Sequence, residues 1–486
     1  VAFQKKEIKI GIIWRLIEVV GAEFFAFCSF LVLTRLLAPE HFGVVALATI
    51  LIMIAQLILF QGVGEALVQI EDIKTDWFSS GLWMNVGLAA LAALILVAAA
   101  PLIANAFSEP EFAPVLRAVA PLLLIYSISG ILQAKLRRDL KLKGFAFASI
   151  LATLLGAGIA ATMALMGFEV WSLVGQQWAY ALTSTTMFLM HAGWRPRPVI
   201  RMAHIRQLAG FSFNTIGAAL LRFALRQLDL LFLGLHLPSK QVGLYFLATR
   251  ILNTVGQLTY YSIQRLGLPV LSRLQHDRVR QQEAIISTLR LTCLVCLPIF
   301  LGLATTADLV IPIAFGPEWQ GSIVPFRILS LFSIFFALSL IIGQILLSAG
   351  FAGTVFRLSV MNALLFALLV AVAAPFGIKA TAIAGGLANA LCLPVYFYGL
   401  RKKLGLDLAH LGNDLLPIGT SAIAMVVTVT AARYALFNDL NAPLALGFCF
   451  TLGVLIFIST IWLLRRDYVD ELTTIVLGDR PHHHSS

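Results

Sequence analysis

Apolar runs of roughly twenty residues follow one another along the chain, separated by short polar or basic stretches. At a rise of 1.5 Å per residue each run is long enough to cross a bilayer as a helix. Read against the polar breaks, the runs predict about fourteen spans: 11–36, 42–68, 77–107, 112–133, 145–167, 170–191, 208–236, 242–268, 284–313, 319–348, 355–376, 378–400, 412–436 and 444–464. The expected fold class is therefore an all-α polytopic membrane protein. No signal-peptide layout precedes the first run, which is expected to remain as a span.

Loop charge orients these spans. Lys5, Lys6 and Lys9, the cluster Lys135 to Lys143, Arg195 to Arg206, Arg273 to Arg280, Arg401 to Lys403, and Arg465 with Arg466 all fall on one side, which the positive-inside rule makes cytoplasmic. Both termini are then cytoplasmic. The stretch holding Glu71, Asp72 and Asp76 belongs to the same side although it is acidic, because acidic residues carry little topological weight.

The chain repeats itself weakly at separations near two hundred residues. "GVVALAT" (Gly43 to Thr49) returns as "GLYFLAT" (Gly243 to Thr249), and "PEF" at Pro110 returns as "PEW" at Pro317. "GFEVWSLVG" from Gly167 returns as "GIKATAIAG" from Gly377. Six spans per copy is an even number, so the copies share an orientation and are related by a pseudo-twofold axis along the membrane normal. The expected organisation is an N-lobe (1–194), a basic amphipathic linker helix on the cytoplasmic surface (195–207), a C-lobe (208–403) and an unrepeated helix pair (404–470). Residues 471–486 form a tail whose "HHHSS" reads as an expression-tag remnant.

Composition agrees and excludes other classes. Of 486 residues 59% are hydrophobic and only 12% charged, and at a net charge of +11 the basic residues cluster in the short gaps between spans. A nucleic-acid partner is not expected, for no continuous basic face or binding module is present. The five cysteines all fall inside apolar runs, where small buried thiols are common, and Cys293-x-x-Cys296 reads as span packing. No cofactor or metal site is indicated, and short outer loops without a nucleophile–base cluster argue against a glycan polymerase or ligase.

Charges at membrane depth need a different explanation, since each costs on the order of 3 kcal/mol or more if it faces lipid. Arg222, Arg226 and Asp229 fall at i, i+4 and i+7 on one face of the seventh span, and Arg250, Asn253, Gln257, Tyr261 and Gln264 line one face of the eighth, with Arg265 beside them. The first span carries Arg15, Glu18 and Glu23, the second Gln61 and Glu65, and the seventh also Asn214. Some of these fit equally well as ion pairs between neighbouring turns, Arg226 with Asp229 or Arg15 with Glu18. Pairing leaves an excess of arginine over carboxylate on the seventh and eighth spans. Those arginines would suit an anion, and the amides and Tyr261 would suit neutral sugars.

The stretch "RQLDLLFLGLHLPSKQVGLYFLATR" (Arg226 to Arg250), with "LPVLSRLQ" from Leu268, "TRLLAPEHFGVVALAT" from Thr34, "GEALVQ" from Gly64 and "LRRDLKLKGF" from Leu136, resembles the multidrug/oligosaccharidyl-lipid/polysaccharide exporter superfamily, specifically its polysaccharide-transport (Wzx-type) flippases. That resemblance implies a monomeric secondary transporter of a bacterial inner membrane. It would move a polyprenyl-diphosphate-linked oligosaccharide to the outer leaflet by alternating access, for O-antigen, capsule or exopolysaccharide synthesis, while the polyprenyl tail stays among membrane lipids. Arg222, Arg226, Arg250 and Arg265 are then candidates for the anionic headgroup, and Asn253, Gln257, Tyr261, Gln264, Gln61 and Asn214 for the sugars. Arg15, Glu18, Glu23, Glu65 and Asp229 are candidates for gating or for coupling to H⁺ or Na⁺. A cation-coupled multidrug antiporter is the alternative within the superfamily.

Overall fold

In the computed structural model, residues 21–59, 61–70, 75–273, 277–436, 441–466 and 468 are described. Arg15, Glu18 and the tail after 470 lie outside them. Among the described residues there are helices and no strands. Only closed backbone hydrogen bonding survives in hydrocarbon, and helices supply it within each segment.

In chain order the helices are α1 (21–36), α2 (Pro39–Leu59), α3 (Gln61–Gln69), α4 (Thr75–Phe107), α5 (Phe112–Val119) and α6 (Leu122–Arg138). There follow α7 (Leu142–Leu165), α8 (Val170–Ala192), α9 (Met202–His236), α10 (Ser239–Leu258) and α11 (Tyr260–Arg273). The series ends with α12 (Arg278–Phe315), α13 (Ile323–Ser348), α14 (Ala352–Ala373), α15 (Ile378–Leu404), α16 (Leu408–Leu436) and α17 (Ala442–Leu464). Ten helical stretches among the described residues are long and apolar enough to cross a membrane. The outward side chains agree with lipid as the surrounding solvent: Leu102 on α4, Leu364 on α14 and Leu463 on α17 are 73%, 67% and 75% exposed. Aqueous surfaces do not carry such apolar faces over whole helices.

Two of the expected spans are each built from two helices. Between α5 and α6 the break falls at Pro121, which has no N–H to continue the ladder. Between α10 and α11 it falls at Thr259, whose N–H is shared between the carbonyls of Val255 (3.1 Å) and Gly256 (3.3 Å) while its hydroxyl donates back to Val255 O at 2.9 Å. Such back-bonding bends a helix. Gly256 makes the bend affordable to its neighbours, because a Cβ there would run into the Tyr260 ring.

The chain forms two compact units, residues 1–247 with 367–381, and residues 248–366 with 382–486. The first packs around Leu67, Phe78, Leu132, Phe145, Phe188 and Trp194, with Phe145 and Phe188 stacked at 5.0 Å. Within this unit the repeated glycines meet reciprocally: a Cβ on Gly43 would strike the Ser239 carbonyl, and one on Gly243 would strike the Pro39 carbonyl. Backbone therefore touches backbone where the first turns of α2 and α10 cross, an approach open only to glycine. The second unit packs α12 against α13, α15 and the α16–α17 pair through Leu289, Cys293, Ile342, Leu400, Met425 and Phe457. Cys293 and Cys296 are buried free thiols.

The linker departs from expectation. Residues 193–201 are not helical, and the helix begins only at Met202, as the first turn of α9. Pro196 and Pro198 withhold amide donors and disfavour helix in the residues before them. The strap docks instead on the start of α4. Trp83 Nε1 donates to Arg197 O (2.8 Å), Ser80 Oγ donates to Val199 O (3.3 Å), and the N–H groups of Arg197 and Arg201 donate to Ser79 Oγ and Ser80 Oγ (3.2 Å each). Arg201 pairs with Asp76 at 2.9 Å, and Trp77 stacks on the His204 ring with centroids 4.1 Å apart. One acid of the acidic stretch is thus a dock for the linker.

Burial and then the Arg201 guanidinium hold the His204 imidazole below its ordinary value, against a smaller upward pull from Asp76. A depressed imidazole favours the docked strap while it is neutral. Docking is then complete above the ordinary value of about 6.5 and weakens as pH falls through the lowered one. Protection factors of residues 195–204, with exchange corrected for its intrinsic pH dependence, should be high at pH 8 and fall as pH drops below the ordinary imidazole value, and that fall should disappear in H204Q; equal protection factors at pH 8 and pH 5 in the native chain would refute the assignment.

Candidate functional site

A cleft of about 520 Å³ opens in the first unit among α2, α3, α6 and α9. Polar groups reach it from three helices: Gln56 from α2, Glu65 from α3, and Tyr126, Ser129, Gln133 and Arg137 from α6. Phe223 of α9, Met53, Leu57 and Val68 supply its apolar wall. On α6 the polar positions recur at i, i+3, i+7 and i+11, one helical face, so the sequence delivers them as a stripe. Gln133 Nε2 donates to Ser129 Oγ at 3.2 Å, which orients the amide along that stripe. The Arg137 guanidinium lies 5.4 Å over the Phe145 ring at the rim. An acid, a base, two amides and two hydroxyls around one cleft can hold a polar or ionic group by hydrogen bonds from several directions.

Of the residues expected from sequence, Glu65 lines this cleft and is exposed. Gln56, Tyr126, Ser129, Gln133 and Arg137 were not expected. The signal was the stripe on α6, masked because Arg137 reads as a loop charge. The side chains of Gln61, Asn214 and Arg222 lie outside the described residues, and Glu23 is half-buried on α1.

On α9, Arg226 is exposed while Asp229, three residues on, is only 7% exposed. The Asp229 carboxylate accepts from the Tyr245 hydroxyl at Oδ2 and from the Leu230 N–H at Oδ1, both at 2.9 Å. Tyr245 is itself 1% exposed, so the pair sits where α9 packs on the first half of α10.

In the second unit, the stripe on α10 and α11 is cross-linked rather than uniformly open. Arg265 Nη2 donates to Gln257 Oε1 at 2.8 Å, and Gln264 Nε2 donates to Gln344 Oε1 of α13 at 3.2 Å. Arg250 is half-buried and Asn253 exposed. The Tyr261 ring lies tilted against Tyr260 with centroids 4.7 Å apart, and Tyr260 in turn meets Phe300 and Phe336. Arg265 and Gln257 are thus brought together, as are Gln264 and Gln344, a partner the sequence did not offer. Elsewhere in this unit Arg433 of α16 forks onto both oxygens of Asp308 on α12, and Arg327 of α13 reaches the same carboxylate at 3.3 Å. Arg290 lies 4.7 Å over the Tyr468 ring. These last arginines serve packing between helices.

Removing the donor to a buried carboxylate leaves its desolvation uncompensated, at a cost of about 1–3 kcal/mol. Y245F should lower the thermal unfolding midpoint in detergent, and D229N should lower it less because the amide oxygen still accepts from Tyr245. Equal stability of Y245F and the native protein would remove the anchoring role.

Residues 32–324 match the polysaccharide biosynthesis protein family. The chain is 27% identical over 306 residues to the succinoglycan biosynthesis transport protein ExoT of Rhizobium meliloti, covering 63% of this chain and 62% of that one. It is 22% identical over 304 residues to the teichuronic acid biosynthesis protein TuaB of Bacillus subtilis, covering 62% and 63%. The lipopolysaccharide biosynthesis protein WzxC of Escherichia coli is 21% identical over 379 residues, 75% of this chain and 73% of that one. The chain thus spans less than two thirds of the length of the first two relatives. Among solved structures, the lipid II flippase MurJ in an inward closed conformation superposes with a TM-score of 0.78 at 12% identity, over 94% of this chain and 100% of that one. An inward-facing multidrug resistance MATE family transporter gives 0.54 at 16% identity, over 81% and 98%. At those identities the superpositions speak to the fold alone. With more than half of its length matched, the chain belongs to the polysaccharide biosynthesis protein family, as a multi-pass membrane protein with the fold of the multidrug/oligosaccharidyl-lipid/polysaccharide exporter superfamily.

Proposed function

We propose that the protein is a flippase that carries a polyprenyl-diphosphate-linked oligosaccharide from the cytoplasmic to the outer leaflet of a bacterial inner membrane by alternating access. The observation that carries this reading is the polar cleft of the first unit, where Arg137, two glutamines, Tyr126 and Ser129 surround a volume within the usual range for small-ligand sites. Guanidinium forks suit the oxygens of a diphosphate, and amides and hydroxyls suit sugar hydroxyls. The names of the relatives, which speak of succinoglycan and teichuronic acid biosynthesis, support a glycan-linked substrate. Fourteen spans, cytoplasmic termini and a monomer complete the proposal.

In this reading Arg222 and Arg226 of the first unit and, separately, Arg250 and Arg265 of the second are each proposed to attract the diphosphate, and Asn253 and Gln257 of the second to serve the sugars. The polyprenyl tail stays in lipid, for which α16 and α17 offer an apolar surface. Carrying net negative charge outward is favoured by about 2.3 kcal/mol per charge per 100 mV when the cytoplasm is negative. Among the acids considered for H⁺ or Na⁺ coupling, Glu65 is favoured because it faces the cleft, whereas Asp229 is buried beneath Tyr245 and better suited to fixing α9 against α10. A cation-drug antiporter would be served by a cleft whose acid has no nearby base; here Arg137 lines the same cleft as Glu65.

Replacing Arg222, Arg226 and Arg250 singly by Ala should make lipid-linked oligosaccharide accumulate in the inner leaflet and cut outer-leaflet delivery about tenfold, the effect of roughly 1.4 kcal/mol, while insertion in the membrane is unchanged. Normal delivery by all three variants would dismiss the assignment of these arginines.

A further inference from the structure

Two adjacent arginines end α6 and act on different partners. Arg137 lines the cleft. Arg138 reaches α3 instead, where its Nη1 donates to Ile70 O (2.7 Å) and Leu67 O (2.9 Å), with Val68 O at 3.4 Å. These are the carbonyls that close α3, the orphan acceptors at the negative end of a helix, and a guanidinium is the best-matched cap for several of them at once. Asp139, the nearest carboxylate in sequence, is occupied by Lys135 at 2.7 Å.

The orientation of the nine residues of α3 decides what the cleft contains. One face, Val63, Ala66 and Leu67, is buried at 1% exposure or less in the core of the first unit. The other carries Glu65 and Val68 to the cleft wall. Rotating or sliding so short a helix by one residue turns Glu65 about 100° away from Tyr126, Gln133 and Arg137. The clamp at its end opposes that movement. We propose that Arg138 is a positioning residue: by capping the last turn of α3 it sets the Glu65 carboxylate in the cleft opposite the α6 stripe. The pose of Glu65 is a claim about the cleft alone, and its consequence for transport rests on the flippase reading.

The test uses the full-length protein in membranes. In a cysteine-free background, the rate at which a charged maleimide labels E65C reports the pose of α3 without any transport assay. R138A should change that rate at least threefold, R138Q should change it comparably because a short amide cannot span the three carbonyls, and R138K should return it to within twofold of the parent. Transport then supplies a double-mutant cycle: R138A should lower delivery of lipid-linked oligosaccharide about tenfold, yet add less than twofold in an E65Q background. An E65C labelling rate indifferent to R138A, or losses that multiply in the double variant, would overturn the proposal. A native protein that moves no lipid-linked oligosaccharide would sink the flippase reading while the labelling arm still decides the role of Arg138.

Discussion

Hydrocarbon offers no hydrogen bonds, and the rest of the structure follows from that constraint. Each backbone segment within the bilayer must close its own amides, which restricts the chain to helices, and each polar side chain must find a partner or water. The cleft of the first unit answers the second demand. Its polar stripe on α6 faces Gln56 and Glu65, while Leu102, Leu364 and Leu463 turn outward on helices that face lipid.

Several polar groups away from the cleft are closed by a specific partner. Asp229 has Tyr245, Asp308 has a pair of arginines, and Gln264 has Gln344. These contacts join helices that lie side by side, so the same interactions that satisfy polar atoms also fix helix positions. The linker follows the rule outside the bilayer as well: its amides and carbonyls are met by Ser79, Ser80 and Trp83 rather than by a helix of its own.

Much of the helical layout was legible because hydropathy and length report directly on bilayer crossing, and because "GVVALAT" and "GLYFLAT" mark equivalent turns. That Gly43 and Gly243 touch each other's neighbouring backbone was not legible, since a repeat gives equivalence without giving contact. The break at Pro121 had a signal, whereas the break at Thr259 depends on a hydroxyl back-bond that any mid-helix threonine could make. Arg226 and Asp229 looked like a natural pair at i, i+3, but the carboxylate is turned to Tyr245, sixteen residues further along and on another helix. The cleft residues of α6 were overlooked for a different reason. In the sequence Arg137 reads as a topological charge, and this conceals that it completes a stripe with Tyr126, Ser129 and Gln133. A basic residue at a span end can serve orientation and a site at once.

The central claim is that this stripe meets water at the depth of the membrane. Spin labels placed singly at Gln56, Ser129 and Gln133, in the protein reconstituted into lipid, measure it directly through collision with a water-soluble nickel chelate and with oxygen, which prefers hydrocarbon. Higher nickel than oxygen accessibility at these positions, with the reverse at Leu102 and Leu364, is the predicted pattern. Oxygen-dominated accessibility along the α6 stripe would contradict the account.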